Sequence, residues 1–207
     1  MNLFQNKYRT KSLRLQTWDY RWAGAYFITI CTNNRKHYFG KIENKKMVLS
    51  NMGVIADILW YEITNHSKNT ELGAFVVMPN HIHGILILTN NEKNENLVEK
   101  GHALFLPNKN PIQPTEQSKT IGQQRFQNIG TNSVSSIIGS YKSAVTKNAN
   151  RLGYEHAWQS LFYDHIIRND DEYQRIVNYI KKNPENWEKD KYSKSNELET
   201  NLNTNNE

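Results

Sequence analysis

Residues 74–88 read AFVVM, then Pro79-Asn80, then HIHGILIL, and no other stretch constrains the fold as tightly. Two apolar runs, Ala74–Met78 and His81–Leu88, are separated by two residues. Proline cannot sit in the middle of a ladder and asparagine favours turns, so the pattern predicts two strands flanking a short turn. Neither run alternates cleanly between apolar and polar residues. Both are therefore expected to be central strands, buried on two faces. A third strand is expected at Ala25–Thr32 (AYFITICT), which is β-branched and aromatic and follows Gly24.

The remaining elements arrange themselves around these strands. Met47–Leu49 reads as a weaker strand that forms a hairpin with a preceding segment. In residues 52–65, Ile55, Leu59 and Ile63 recur at a four-residue spacing with Ile58 beside them, which predicts an amphipathic helix. Ser133 is placed as an N-cap, and Val134, Ile137, Ile138, Tyr141 and Val145 follow as a helical stripe. Leu161–Arg168 (LFYDHIIR) reads as a fourth strand. Asn169 should cap a final helix, with Glu172 as its capping-box partner and Pro184 as its stop.

The order strand, helix, strand, strand, helix, strand is that of the ferredoxin-like βαββαβ unit, an α+β fold with an antiparallel sheet. RNA-recognition (RRM-like) modules share this architecture, and here an additional C-terminal helix follows it. The expected organisation is a basic, aromatic arm over residues 1–22, a domain over 23–187, and a disordered polar tail over 188–207. Residues 90–131 turn abruptly rich in Asn, Lys, Gln, Pro and Gly, and are expected to be a mobile insertion of unassigned role.

Charge and cysteine content narrow the function classes. Lys and Arg number 26 against 20 Asp and Glu, a net charge of +6 that suits a polyanionic partner without demanding one. Cys31 is the single cysteine, which excludes an intramolecular disulfide and any multi-cysteine zinc site. Its apolar setting predicts a buried, inert thiol. No stretch is long enough to cross a membrane and no secretory apolar segment opens the sequence, so no membrane partner and a cytoplasmic (bacterial, nucleoid-associated) location are expected.

Two groups of residues could carry chemistry. His81 and His83 lie two apart on a strand, so both point to one face, while Ile82 points into the core. Such a pair can converge on one metal ion, or be two ordinary histidines at a strand end. In the last helix, Tyr173, Ile176, Val177 and Ile180 form the stripe that must pack on the sheet. Tyr179 and Asn183, one turn apart, fall to the side of that stripe and are expected at its rim, facing the sheet edge. Asn183 offers a carbonyl oxygen suited to a hard cation. On its own Tyr179 reads first as a packed rim residue with its hydroxyl in water; the other reading is a phenolic nucleophile, whose ordinary pKa near 10 requires help from a nearby cation.

These residues carry a resemblance. FVVMPNHIHGILIL resembles the metal-binding "histidine, hydrophobe, histidine" segment of the HUH single-tyrosine transposases. WQSLFYDHIIRNDDEYQRIVNYIKKNPENW is similar to their C-terminal catalytic block, most of all in the REP-associated tyrosine transposases. YRWAGAYFITICTNNRKHYFG matches their N-terminal strand region, so the likeness spans about residues 15–187 outside the insertion. It implies that His81, His83 and Asn183 bind Mg²⁺ or Mn²⁺ and that Tyr179 is the nucleophile. It also implies a 5′-phosphotyrosine link to hairpin-bearing single-stranded DNA, release of a 3′-hydroxyl, and strand rejoining. A homodimer is one option it leaves open, since relatives of insertion-sequence type work as dimers.

Arg21, Lys142, Lys147, Trp158, Gln159, Arg168, Lys181 and Lys182 are candidate DNA contacts, the aromatic to stack bases and the cations to follow phosphates. Tyr141, Tyr163 and Tyr173 are read as structural, as is His165. The competing readings are a non-catalytic RRM-like nucleic-acid binder derived from a transposase, and a zinc hydrolase. The binder reading lacks the ringed aromatics of its signature in the third strand, and the hydrolase reading lacks a His-Glu-x-x-His segment.

Overall fold

A computed structural model describes residues 18–89 and 132–193. The arm up to residue 17, the insertion at 90–131 and the tail beyond 193 lie outside the described residues, as do the expectations attached to them. Among the described residues, no helix is long and apolar enough to cross a membrane.

The central sheet has four antiparallel strands: β1 (Gly24–Cys31), β4 (Thr70–Met78), β5 (His81–Leu88) and β6 (Tyr163–Ile167), in the order β4-β5-β1-β6. This is the ferredoxin-like order the sequence pattern predicts. A hairpin of β2 (Gly40–Glu43) and β3 (Lys46–Leu49) supplies the partner expected for Met47–Leu49. Of the two runs flanking Pro79-Asn80, only β5 is central and buried along its whole length. Among the described residues β4 is an edge strand, half-buried over most of its length, with no strand on its outer side.

One face of the sheet carries helices α1 (Asn51–Tyr61) and α3 (Val134–Leu152) over Tyr26, Ile28, Ile30, Ile82, Leu86 and Leu88. A short α2 (Ile63–His66) follows α1. Ser50 caps α1 by accepting from the Gly53 amide at 3.1 Å, and Ser133 caps α3 in a reciprocal box with Ser136. The α3 stripe buries the five residues predicted for it. The α1 face is rotated only in part from expectation: Met52, Ala56 and Trp60 lie deepest and Ile58 is exposed, while Ile55 and Leu59 stay half-buried against the core and Ile63 is buried. Trp60 sets this rotation. Its indole stacks on Phe75 with centroids 4.6 Å apart and lies flat against Gly84, where a β-carbon would come within 2.3 Å of the ring.

The opposite face is covered by α4 (Asp170–Lys182), packed through Tyr173, Ile176, Val177 and Ile180 onto Ala25, Phe27, Ile85, Ile87 and Ile167. Asn169 caps it by accepting from the Glu172 amide at 2.8 Å. Glu172 does not close the expected box. It accepts instead from the Arg168 amide and pairs with His165, each at 2.8 Å. Pro184 ends the helix, yet Asn183 keeps right-handed helical dihedrals (φ −59°, ψ −44°), and the chain runs on into a 3-10 turn, Pro184–Lys189. Proline at the first position of that turn needs no amide hydrogen. Asn183 therefore stays in helical phase with Tyr179, one turn before it.

The Trp60–Gly84 contact is open to test. Gly84→Ala should lower stability by about 1–3 kcal/mol, the usual cost of overpacking, read as a reduced urea midpoint with an unchanged slope. An unchanged midpoint would contradict the packing described.

Candidate active site

β5 places His81 and His83 on the face that α4 covers, 0% and 1% exposed, with Ile82 in the opposite core. The tautomer of the His81 ring follows from its neighbours. Asn80 Nδ2 donates to the carbonyls of Arg35 (3.1 Å) and Tyr192 (2.7 Å), so Asn80 Oδ1 is the atom that meets His81 Nδ1 at 2.9 Å. That oxygen can only accept, so Nδ1 carries the hydrogen and Nε2 is a bare lone pair. His83 Nδ1 lies 2.9 Å from Thr29 Oγ1, and the ring also hydrogen-bonds the Ile28 backbone. Its Nε2 lies 3.1 Å from the Tyr179 hydroxyl oxygen.

Asn183 closes the site from α4. It is 2% exposed, and its Nδ2 donates to Asp190 Oδ2 at 3.0 Å, which leaves Oδ1 facing inward. Asn183 Oδ1 and His81 Nε2 are both buried without a hydrogen-bond partner. A protonated His81 would donate to Asn183, but the neutral ring leaves an acceptor facing an acceptor. Two buried lone pairs in this relation call for a positive charge between them. The carboxylate of Asp190 supplies a further oxygen: ligand atoms of His81, His83 and Asp190 all lie within 4.8 Å of one another. Two imidazole nitrogens with carboxylate and amide oxygens form a donor set that fits a divalent cation.

Burial pushes His81 down to about 3 and His83 well below its ordinary value, the latter helped by the neighbouring His81. Both rings therefore stay neutral, as ligands must be. The Tyr179 phenol is pushed up to about 12, first by burial and then by the negative charge of Asp190. It is 42% exposed and opens onto a cleft of about 480 Å³.

The placement differs from expectation in two respects. Tyr179 stands over the central strands beside His83 and Phe27, not over a sheet edge. Asn183 is buried rather than at the rim. Asp190 and Tyr192 are additions to the predicted site, because the tail was expected to begin at 188. Tyr192 and Trp187 pack on the His81 ring at centroid distances of 4.7 and 6.0 Å. Two aromatics in an otherwise polar segment were the available signal.

The eight candidate DNA contacts are scattered, and none lines the cleft beside Tyr179. Lys142 donates to the carbonyls of Gln159 (2.7 Å) and Ser160 (3.3 Å). Trp158 is wedged among Phe39, Tyr141 and His156 and donates to the Lys142 carbonyl. The Gln159 amide donates to the Cys31 carbonyl. Arg21 pairs with Asp19 at 3.1 Å. Lys147, Arg168, Lys181 and Lys182 are exposed on α3, the α4 approach and the last turn of α4. Tyr141 is structural as expected, donating to the Ala56 carbonyl, and burial pushes the Cys31 thiol up to about 11.

Comparison with known proteins adds the following. No family model matches the chain. An uncharacterized protein of Haemophilus influenzae (strain Rd) is 35% identical over 182 residues, which cover 87% of this chain and 91% of that one. This chain belongs to the family of that Haemophilus protein. Among solved structures, a REP-associated tyrosine transposase bound to a REP hairpin is 19% identical with a TM-score of 0.47, covering 86% of this chain and 72% of that one. A protein of Deinococcus radiodurans R1 assigned as a transposase is 11% identical with a TM-score of 0.40, covering 84% and 96%.

The neutral histidines give a pH prediction for the metal-free protein. Their folded pKa values lie below the unfolded value near 6.5, so as pH falls the unfolded chain takes up protons first. Stability present above about 6.5 should be lost progressively as pH falls toward about 3. His156, lowered to about 4, adds in the same direction. Urea titrations across that range should show the decline, and His81→Leu should flatten it. A wild-type profile level from pH 7 to 5 would contradict the assignment.

Proposed function

We propose that this protein is a metal-dependent single-tyrosine enzyme that cleaves and rejoins hairpin-bearing single-stranded DNA. The observation that carries the reading is the Tyr179 hydroxyl lying 3.1 Å from His83 Nε2, beside two other buried lone pairs that lack a partner. The quoted sequence motifs point the same way. In this reading His81, His83 and Asn183 hold Mg²⁺ or Mn²⁺, and Asp190 adds a carboxylate to the set.

The chain's own residues account for most of the chemistry. Asn80 and Thr29 fix the two imidazoles with their Nε2 atoms inward, so little reorganisation is needed on binding. A bound divalent cation supplies Lewis-acid polarisation of the scissile phosphate and an opposing charge for the phenolate. The His83 Nε2 lone pair could not serve a cation and a phenol hydrogen at once, so with His81, His83 and Asn183 holding a cation the Tyr179 hydroxyl would be free to turn toward the phosphate. Tyr179 then attacks: the Oη–P bond forms, the P–O3′ bond breaks, the upstream strand leaves with its 3′ oxygen, and the downstream strand stays on the tyrosine through its 5′-phosphate. The proton lost from Oη is balanced by one gained at the leaving 3′ oxygen. One phosphodiester replaces another, so neither water nor a nucleotide is consumed, and the reverse attack by a 3′-hydroxyl joins strands.

The test uses hairpin-bearing single-stranded oligonucleotides, including those flanking the protein's own gene, with Mg²⁺ or Mn²⁺. Wild type should give a covalent adduct on a denaturing gel, and Tyr179→Phe should give none. An adduct from Tyr179→Phe would reassign the nucleophile. DNA binding without any adduct would favour the non-catalytic, RRM-like binder.

Asp190→Asn separates the two effects of that carboxylate. In the metal-free protein it should lower the Tyr179 pKa from about 12, seen by ultraviolet titration, because a repelling charge is removed. In calorimetry it should weaken Mn²⁺ binding by roughly 10-fold or more. Undiminished Mn²⁺ affinity would remove Asp190 from the ligand set.

A further inference from the structure

Tyr163 was read from the sequence as structural, and the structure gives it little structural work. It opens β6, and 46% of it is exposed. Its register explains where it stands. Thr29 pairs with His83 on one side and with Tyr163 on the other, so the three residues form one cross-strand row. Residues paired across a sheet share a face, and two strand spacings put Tyr163 about 10 Å from His83 along the row. Phe27 sits between them, with ring centroids 6.5 Å from Tyr163, 6.1 Å from Tyr179 and 5.2 Å from His83. The cleft at Tyr179 is thus lined by aromatic rings from Tyr179 to Tyr163, with Phe27 edge-to-face against both at 83° and 72°. Its other wall carries the cations of Lys189 and Lys191, both exposed.

An exposed aromatic ring at Tyr163, with Lys189 and Lys191 flanking the Asp190 carboxylate in the same cleft, matches one ligand chemistry well. Stacked bases need flat apolar surface, and the phosphates between them need positive charge. A peptide would need backbone hydrogen-bonding partners instead, and the residues lining this cleft offer mainly rings and charges. Resting on the function proposed above, we infer that Tyr163 stacks on a nucleobase next to the scissile phosphate, while Lys189 and Lys191 meet the adjoining phosphates. Tyr163 is then a binding residue that fixes the register of the strand against Tyr179. Stacking is tolerant of base identity, so this contact positions the strand and leaves sequence choice to the hairpin.

The experiment uses the full chain and hairpin oligonucleotides in which 2-aminopurine is moved one nucleotide at a time along the single-stranded flank. Wild type should quench its fluorescence at one position beside the cleavage point. Tyr163→Ala should lose that quenching and weaken binding by about 10-fold, while Tyr163→Phe should keep both. An abasic nucleotide at the same position should weaken wild type and leave Tyr163→Ala unaffected. Equal binding by Tyr163→Ala and wild type, or equal sensitivity of both to the abasic site, would overturn the inference. Thermal melts of both variants separate misfolding from lost stacking, and Tyr163→Phe decides the matter if Tyr163→Ala unfolds. Adduct formation with no Tyr163 effect sinks this inference alone. Quenching and binding without any adduct sinks the enzymatic reading and leaves the stacking contact standing.

Discussion

The pairing of β1 with β5 is the constraint on which the rest of the molecule depends. Its register sets Thr29 opposite His83 and Cys31 opposite His81. A slip of one residue would turn both histidines into the α1/α3 core and bring Ile82 out in their place. The register is held from both sides. Tyr26, Ile28, Ile30, Ile82 and Leu86 fill one face completely, and Ile85 with Ile87 fills the other. The Thr29–His83 hydrogen bond adds a polar pairing specific to that alignment, and it sets which nitrogen of the ring faces the site.

That register also determines the electrostatic character of the site. Two neutral imidazoles, a buried amide and a carboxylate are gathered under α4 with more acceptors than donors. The excess is concentrated at His81 Nε2 and Asn183 Oδ1. An apolar replacement would suffer no such mismatch, so the arrangement is costly unless a cation resolves it. The segment after α4 closes the other side. Asn80 holds the Tyr192 carbonyl while Arg35 holds that of Lys191, which brings Asp190 to the Asn183 amide. Asn80 thereby joins the turn before β5 to the cover above it, orienting a ligand and the chain that shields it.

Much of this was legible in the residues because periodic burial leaves a periodic trace. The strands, the α3 stripe and the packing face of α4 follow from spacing alone. Where the reading departed, an identifiable competing effect won. The α1 face rotated in part because one large ring, Trp60, needs the space over Gly84, and a count of aliphatic positions does not weigh a single indole. β4 reads like a central strand but is an edge among the described residues, since apolar content reports burial and not neighbour count. Asn183 was expected at a rim. Its burial comes from the 3-10 turn after Pro184, which folds Asp190 back over the helix end. Asp190 lies in a polar segment without periodicity, so only Trp187 and Tyr192 beside it hinted at packing. Trp158 and Lys142, attractive as nucleic-acid contacts by residue type, are engaged with the chain itself.

A divalent cation held by His81, His83 and Asn183 would compete with the Tyr179 hydroxyl for the same lone pair on His83. A crystal of the protein soaked in Mn²⁺ and measured at a wavelength where manganese scatters anomalously tests it directly. One strong peak is expected in contact with His81 Nε2, His83 Nε2, Asn183 Oδ1 and an Asp190 carboxylate oxygen, with the Tyr179 hydroxyl moved off His83 Nε2. A peak elsewhere, or an ion bound with the Tyr179–His83 hydrogen bond still intact, would contradict it.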